Sequence, residues 1–150
     1  MNKILAILAG LLVTGVLAGT ALAASPHFIG TPSAMVSGNS LIVSFKAAGL
    51  GNSSTADFSL DGDINVDSRC YTKSGNKPQA ANKQETIHVD TTQTFLVRNG
   101  QTTGTFDPIT PLSTLTCPKG QNVVIEGITY TNLVLSGPGD PPLTYTFPSP

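Results

Sequence analysis

The chain has 150 residues, with eight Lys or Arg against nine Asp or Glu, and charged residues make up only 11% of it. So weak a net charge excludes electrostatic capture of a nucleic-acid backbone or an anionic membrane surface. The absence of Trp, with aromatics at 6%, argues against a carbohydrate site built on stacking platforms.

The first elements concern export. Lys3 is the only charge before Lys46, Ile4 to Val16 is nearly all apolar, and small residues lead to Ala21-Leu22-Ala23. A basic start, an apolar stretch and an Ala-x-Ala exit are the parts of a secretory signal peptide, here 1–23. An uncleaved anchor over Ile4 to Ala24 is the rival, and Gly10, Gly15 and Gly19 weigh against it. Cleavage after Ala23 leaves residues 24–150 as a single domain, with seven basic residues against nine acidic ones. The expected location is secreted or extracellular, or the periplasm, with no membrane attachment after the leader is removed.

What recurs beyond the leader is alternation, not a helical period. Ser33 to Val36 leads through Ser37-Gly38-Asn39-Ser40 into Leu41, Val43, Phe45 and Ala47, which predicts a hairpin with a half-buried second strand. Ala56, Phe58, Leu60, Gly62, Ile64 and Val66 then alternate with Asp57, Ser59, Asp61, Asp63, Asn65 and Asp67. Period two over this length predicts one face in the core and one in water. Cys70 shares the parity of the apolar set. Residues 71 to 83 read as a polar loop, and Ile87 and Val89 as a short strand.

Gln93 to Arg98 and Gln101 to Phe106 flank Asn99-Gly100, a strong hairpin signal. Pro108 and Pro111 bound a loop leading to Cys117. Asn122 to Ser136 is a long strand with a bulge or bend expected at Gly127. A turn at Gly137 to Pro142 precedes a last strand, Leu143 to Phe147. The fold predicted is an all-β antiparallel two-sheet sandwich, immunoglobulin-like or jelly-roll-like, with seven or eight strands. Cys70 and Cys117 are the only cysteines, and in an exported chain they are expected to pair. Closing a loop of about 48 residues stabilises by about 4 kcal/mol in loop-entropy terms.

The acidic ladder Asp57, Asp61, Asp63, Asp67 is the most suggestive constellation. Asp61-Gly62-Asp63-Ile64-Asn65 begins like a calcium loop, yet Val66 stands where Gly is needed and Thr72 where Glu is needed. An EF-hand is excluded, and a looser calcium site at a sheet edge is the weak candidate. Against it stands a solvated face that discourages edge pairing. His88, between Ile87 and Val89, reads as a surface-strand histidine with a pH-sensitive contact as the sharper option. An amino-terminal copper-binding His27 would need cleavage after Pro26, against the Ala-x-Ala exit. A Lys46–Asn132 isopeptide with Glu126 as proton shuttle is disfavoured, because Lys46 has outer-face parity and that chemistry needs burial. Asn52-Ser53-Ser54 is a glycosylation sequon.

Gly38-Asn39-Ser40-Leu41, Ala47-Ala48-Gly49-Leu50-Gly51, Cys70, Pro78-Gln79-Ala80-Ala81-Asn82-Lys83 and Cys117-Pro118, in this order, resemble a widespread group of small secreted proteins of uncharacterised activity. The likeness spans about Pro26 to Leu135. It implies secretion, one domain and a pairing of the two cysteines, and it carries over no catalytic residue.

These readings lead to a non-enzymatic extracellular domain for binding, adhesion or structural assembly, without cofactor or nucleic acid. The expected partner is another protein or a surface, met through loop 71–83, which is anchored at Cys70. Alternatively the chain self-assembles by adding Ala24 to Val36, or Leu143 to Phe147, to a neighbour's sheet. The other option is a secreted hydrolase or metal-dependent enzyme whose residues converge only in space.

Overall fold

The computed structural model describes residues 25–75 and 82–150. The expected leader, 1–23, and the middle of the expected contact loop lie outside the described residues. Eight strands follow in order: β1 (His27–Phe28), β2 (Ser33–Ser37), β3 (Ser40–Ala48), β4 (Thr55–Thr72), β5 (Asn82–Leu96), β6 (Thr102–Thr105), β7 (Gln121–Gly137) and β8 (Leu143–Thr146). They form two antiparallel four-stranded sheets, with no helix among the described residues.

In the smaller sheet, β3 is central. β1 and β2 run in line along one of its edges and β6 along the other. The larger sheet has the order β5-β4-β7-β8. β4 pairs over almost its whole length with β5, from Thr55↔Leu96 to Arg69↔Asn82, and with β7, from Ser59↔Ser136 to Thr72↔Gln121. Two irregularities interrupt the β4–β7 ladder. Ser68 pairs with Ile125 where Asp67 pairs with Gly127, so Glu126 is the extra residue of a bulge beside Gly127. Between the Asp61 and Asp63 pairs, Asn132 and Leu133 stand against Gly62, with Asn132 at a φ of 54°.

Alternation decides the interior. Leu41, Val43, Phe45 and Ala47 of β3 face Phe58, Leu60, Ile64 and Val66 of β4 and Leu133 and Leu135 of β7, all buried in one core. Phe45 is its hub, with ring centroids 4.3 Å from Phe58, 5.1 Å from Phe95 and 6.0 Å from Phe106. The Phe95 ring meets Phe45 edge-to-face and the other two at a tilt; favourable aromatic pairs stabilise by about 0.5–1.5 kcal/mol each beyond the area they bury. Cys70 keeps the inward parity, is fully buried and is bonded to Cys117. Through that link the extended segment after β6 is tied over the far end of β4.

Three expectations are corrected. Strand pairing reaches into the supposed loop 71–83 from both sides, to Thr72 and from Asn82. The short strand at Ile87 and Val89 and the run from Gln93 belong to one strand, β5, because β4 is long enough to pair all of it. Asn99 and Gly100 do make a tight turn, with φ of 51° and 70° and an Arg98↔Gln101 bridge. The arms separate at once, however: β6 joins β3, so the turn passes the chain from one sheet to the other.

Candidate functional site: an acidic face on the long sheet

The outward positions of the long sheet follow from its register. On β4 they are the odd-numbered residues, including Asp57, Asp61, Asp63 and Asp67. On β5 they include His88 opposite Asp63 and Asp90 opposite Asp61. Glu126, extruded by the β7 bulge, joins this face through Arg69, its carboxylate 2.6 Å from Nε, and accepts a 2.5 Å hydrogen bond from Tyr71. Six of the nine Asp and Glu of the chain thus share one face. Arg69 is the only Lys or Arg at an outward position of its four strands.

The centre of the face is a carboxylate–imidazole clamp. His88 Nδ1 lies 3.2 Å from Asp63 Oδ1 and Nε2 lies 3.4 Å from Asp61 Oδ2. The second oxygen of Asp63 accepts a 3.4 Å hydrogen bond from the Asn132 amide, which the β7 bulge brings there. The hydrogen bond with Asp63 raises the His88 pKa above 6.5; partial desolvation opposes it, and the fields of Asp61, Asp63 and Asp90 add to it. Around the clamp the face is polar and cross-bonded. Thr94 donates to Asp57 at 2.5 Å, Ser59 and Thr92 share a 2.7 Å bond, and Thr86 donates to Asn65 at 2.8 Å.

The ladder therefore does not gather around one point. Asp57 is held by Thr94, and Asp61 and Asp63 by His88. Among the described residues no group of three or more His, Cys, Asp or Glu is placed to hold a metal ion. The reading of the ladder as an edge guard is overturned, because β4 lies between β5 and β7 and has no open edge to protect. Asp61 instead stands directly across from Asp90, a like-charge pair that costs up to about 1 kcal/mol.

The remaining candidates fall elsewhere. Lys46 is exposed on the smaller sheet and pairs with Thr103, while Asn132 meets Asp63 and Glu126 meets Arg69, so the isopeptide trio is not assembled. His27 is exposed, with Nδ1 2.9 Å from the Ser25 carbonyl oxygen. Asn52 lies exposed in the turn after β3. Asp57 also borders a cleft of about 540 Å³ with Ser53, Thr55, Ser59 and Ser136. Its described lining holds a carboxylate and hydroxyls, but neither a histidine nor a second carboxylate. Backbones meet closely at this end: a Cβ on Gly49 would stand 2.1 Å from the Ser25 carbonyl oxygen.

Alternation missed one group. Glu85 lies on the inward side of β5, two residues from Ile87, and there it accepts hydrogen bonds from the Thr114 hydroxyl, the Ser113 hydroxyl at 2.8 Å and the Thr114 amide at 2.9 Å. Lys83, 3.1 Å from the same carboxylate, also donates to Thr114. The Thr114 hydroxyl bond leads in lowering the Glu85 pKa to about 2; desolvation opposes it, and Ser113, Lys83 and the Thr114 amide reinforce it. Parity with Ile87 and Val89 was the available signal.

No family model matches the chain, and neither a curated protein nor a solved structure matches it.

Proposed function

We propose that the chain is an extracellular, non-enzymatic binding domain, and that the outer face of the long sheet is the surface it offers to a cationic protein partner. The observation that carries this reading is the collection of Asp57, Asp61, Asp63, Asp67 and Asp90 on one face, on a central strand and its neighbour. The core does not require that placement: the face lies outside it, and the Asp61–Asp90 juxtaposition costs stability.

Geometry favours a partner with distributed charge over a single metal ion. Residues two apart on a strand are about 6.8 Å apart. Calcium draws its oxygens to about 2.4 Å from itself, so carboxylates sharing an ion must lean together. Here Asp61 and Asp63 flank His88. An extended basic segment presents alternate side chains at the same repeat as the ladder. Export is part of this reading: it rests on the three-part leader in the sequence and is compatible with the Cys70–Cys117 disulfide.

The two segments that could add to a neighbour's sheet are each paired on one side within the fold. Ser33–Ser37 pairs with β3 and Leu143–Thr146 with β7. Calorimetric titration of the mature protein with a ten-residue oligolysine at 20 mM and 500 mM NaCl tests the proposal. Binding is expected at low salt and strongly weakened at high salt. It should fall at least tenfold when Asp57, Asp61, Asp63 and Asp67 are all changed to Asn, but not when Asp107 and Asp140 are. Equal loss in the two variants refutes it.

A further inference from the structure

The clamp at the centre of this face has a property that a plain acidic surface lacks. Both ring nitrogens of His88 lie beside carboxylates: Nδ1 is hydrogen-bonded with Asp63 at 3.2 Å, and Nε2 is 3.4 Å from Asp61 in a charge contact without hydrogen-bond geometry. A neutral imidazole carries one N–H and can serve only one of them; the second nitrogen then turns a lone pair toward an anion. The imidazolium carries two, donates to Asp63 and attracts Asp61 by its charge. The arrangement is thus complementary to the protonated ring. Among the described residues, the charged groups that face it from the packed strands are anions: Asp61 and Asp63 on β4 and Asp90 on its own strand. β7 contributes only the neutral Asn132 amide, on Asp63.

We infer that protonation of His88 closes the acidic face, by holding Asp61 and Asp63 together under one cation, and that its deprotonation opens them to a cationic partner. This rests on the binding reading above and adds a regulatory rule to it. A partner's cation and the proton on His88 compete for the same two carboxylates. By linkage, binding therefore strengthens as the ring loses its proton, and binding lowers the affinity of the ring for that proton. The raised pKa fits the same geometry, and it puts the transition above 6.5. Lysine ammonium groups of the partner stay protonated across that range.

Two measurements test the switch. The ring resonances of His88 are followed by NMR from pH 5 to 9, with and without oligolysine, in wild type and in Asp63→Asn. The affinity for oligolysine is measured at pH 5.5 and 8 in wild type and in His88→Gln, a substitution at a side chain 61% exposed that leaves the core untouched. The expected results are a His88 pKa above 6.5, lowered by oligolysine and by Asp63→Asn, and an affinity three- to tenfold higher at pH 8 that becomes flat in His88→Gln. Binding with the same pH profile in His88→Gln overturns the switch and leaves the binding surface standing. No binding at either pH removes the surface and the competition together. A His88 titration unmoved by Asp63→Asn overturns the switch whatever the binding shows.

Discussion

The two faces of β4 share one backbone and obey opposite rules. Phe58, Leu60, Ile64, Val66 and Cys70 point inward and are all but inaccessible, while Asp57, Asp61, Asp63 and Asp67 point outward from the residues between them. Inside, each side chain is fixed by what it must fill, and its identity is explained by the fold. Outside, Asp57 and Asp61 are exposed, Asp63 and Asp67 are half-buried with one Asp67 oxygen covered, and none of the four fills the core. The difference separates residues that make the structure from residues that the structure displays.

The comparison can be broken most forcefully at the inner face. Changing Cys70 and Cys117 to Ser is expected to cost about 4 kcal/mol through the restored freedom of the loop between them, read as a lower midpoint in urea unfolding under non-reducing conditions. Leu60→Ala follows at about 3 kcal/mol, the usual cost of a cavity at a fully buried leucine. A loss under 1 kcal/mol would mean that the two sheets are not packed as described.

Glu85 gives a smaller, pH-defined effect at the seam between β5 and the segment before Cys117. Its folded-state pKa, about 2, lies below its ordinary 4.5. The stability it confers is therefore present above pH 4.5 and lost as pH falls toward 2. Unfolding measured from pH 5 to pH 2 should show a downward limb that Glu85→Gln flattens; identical limbs would remove the carboxylate from that role. Smallest of all is the outer face. With the exposed pair Asp57 and Asp61 both Asn, unfolding at neutral pH should stay within about 0.5 kcal/mol of wild type, as expected for surface positions outside the core. A loss of several kcal/mol would make those carboxylates part of the fold.

Much of the inner face was legible in the sequence because burial follows parity. The alternation from Ala56 to Val66 continues through Cys70, and the bulge appears at Gly127, where the missing side chain announced it. The long reach of β5 was not legible. Its first turn of sequence, Asn82 to Thr86, is polar on both sides, since Lys83 and Glu85 face the hydroxyls of Ser113 and Thr114 instead of the core. Asn99-Gly100 revealed its turn but not the destination of the strand after it, because period two fixes which face a residue takes and says nothing about which strand lies beside it. The acidic ladder was visible residue by residue for the same reason, and its central position was not. That position is what turns a presumed edge guard into a displayed surface.

The most direct test of that surface is a map of backbone amide shifts on adding oligolysine to the disulfide-bonded protein at pH 8 and low salt. The account predicts changes centred on Asp57 to Asp67 and His88 to Asp90, with the strands of the smaller sheet silent. Changes centred on the smaller sheet, or around Asp107 and Asp140, would contradict it.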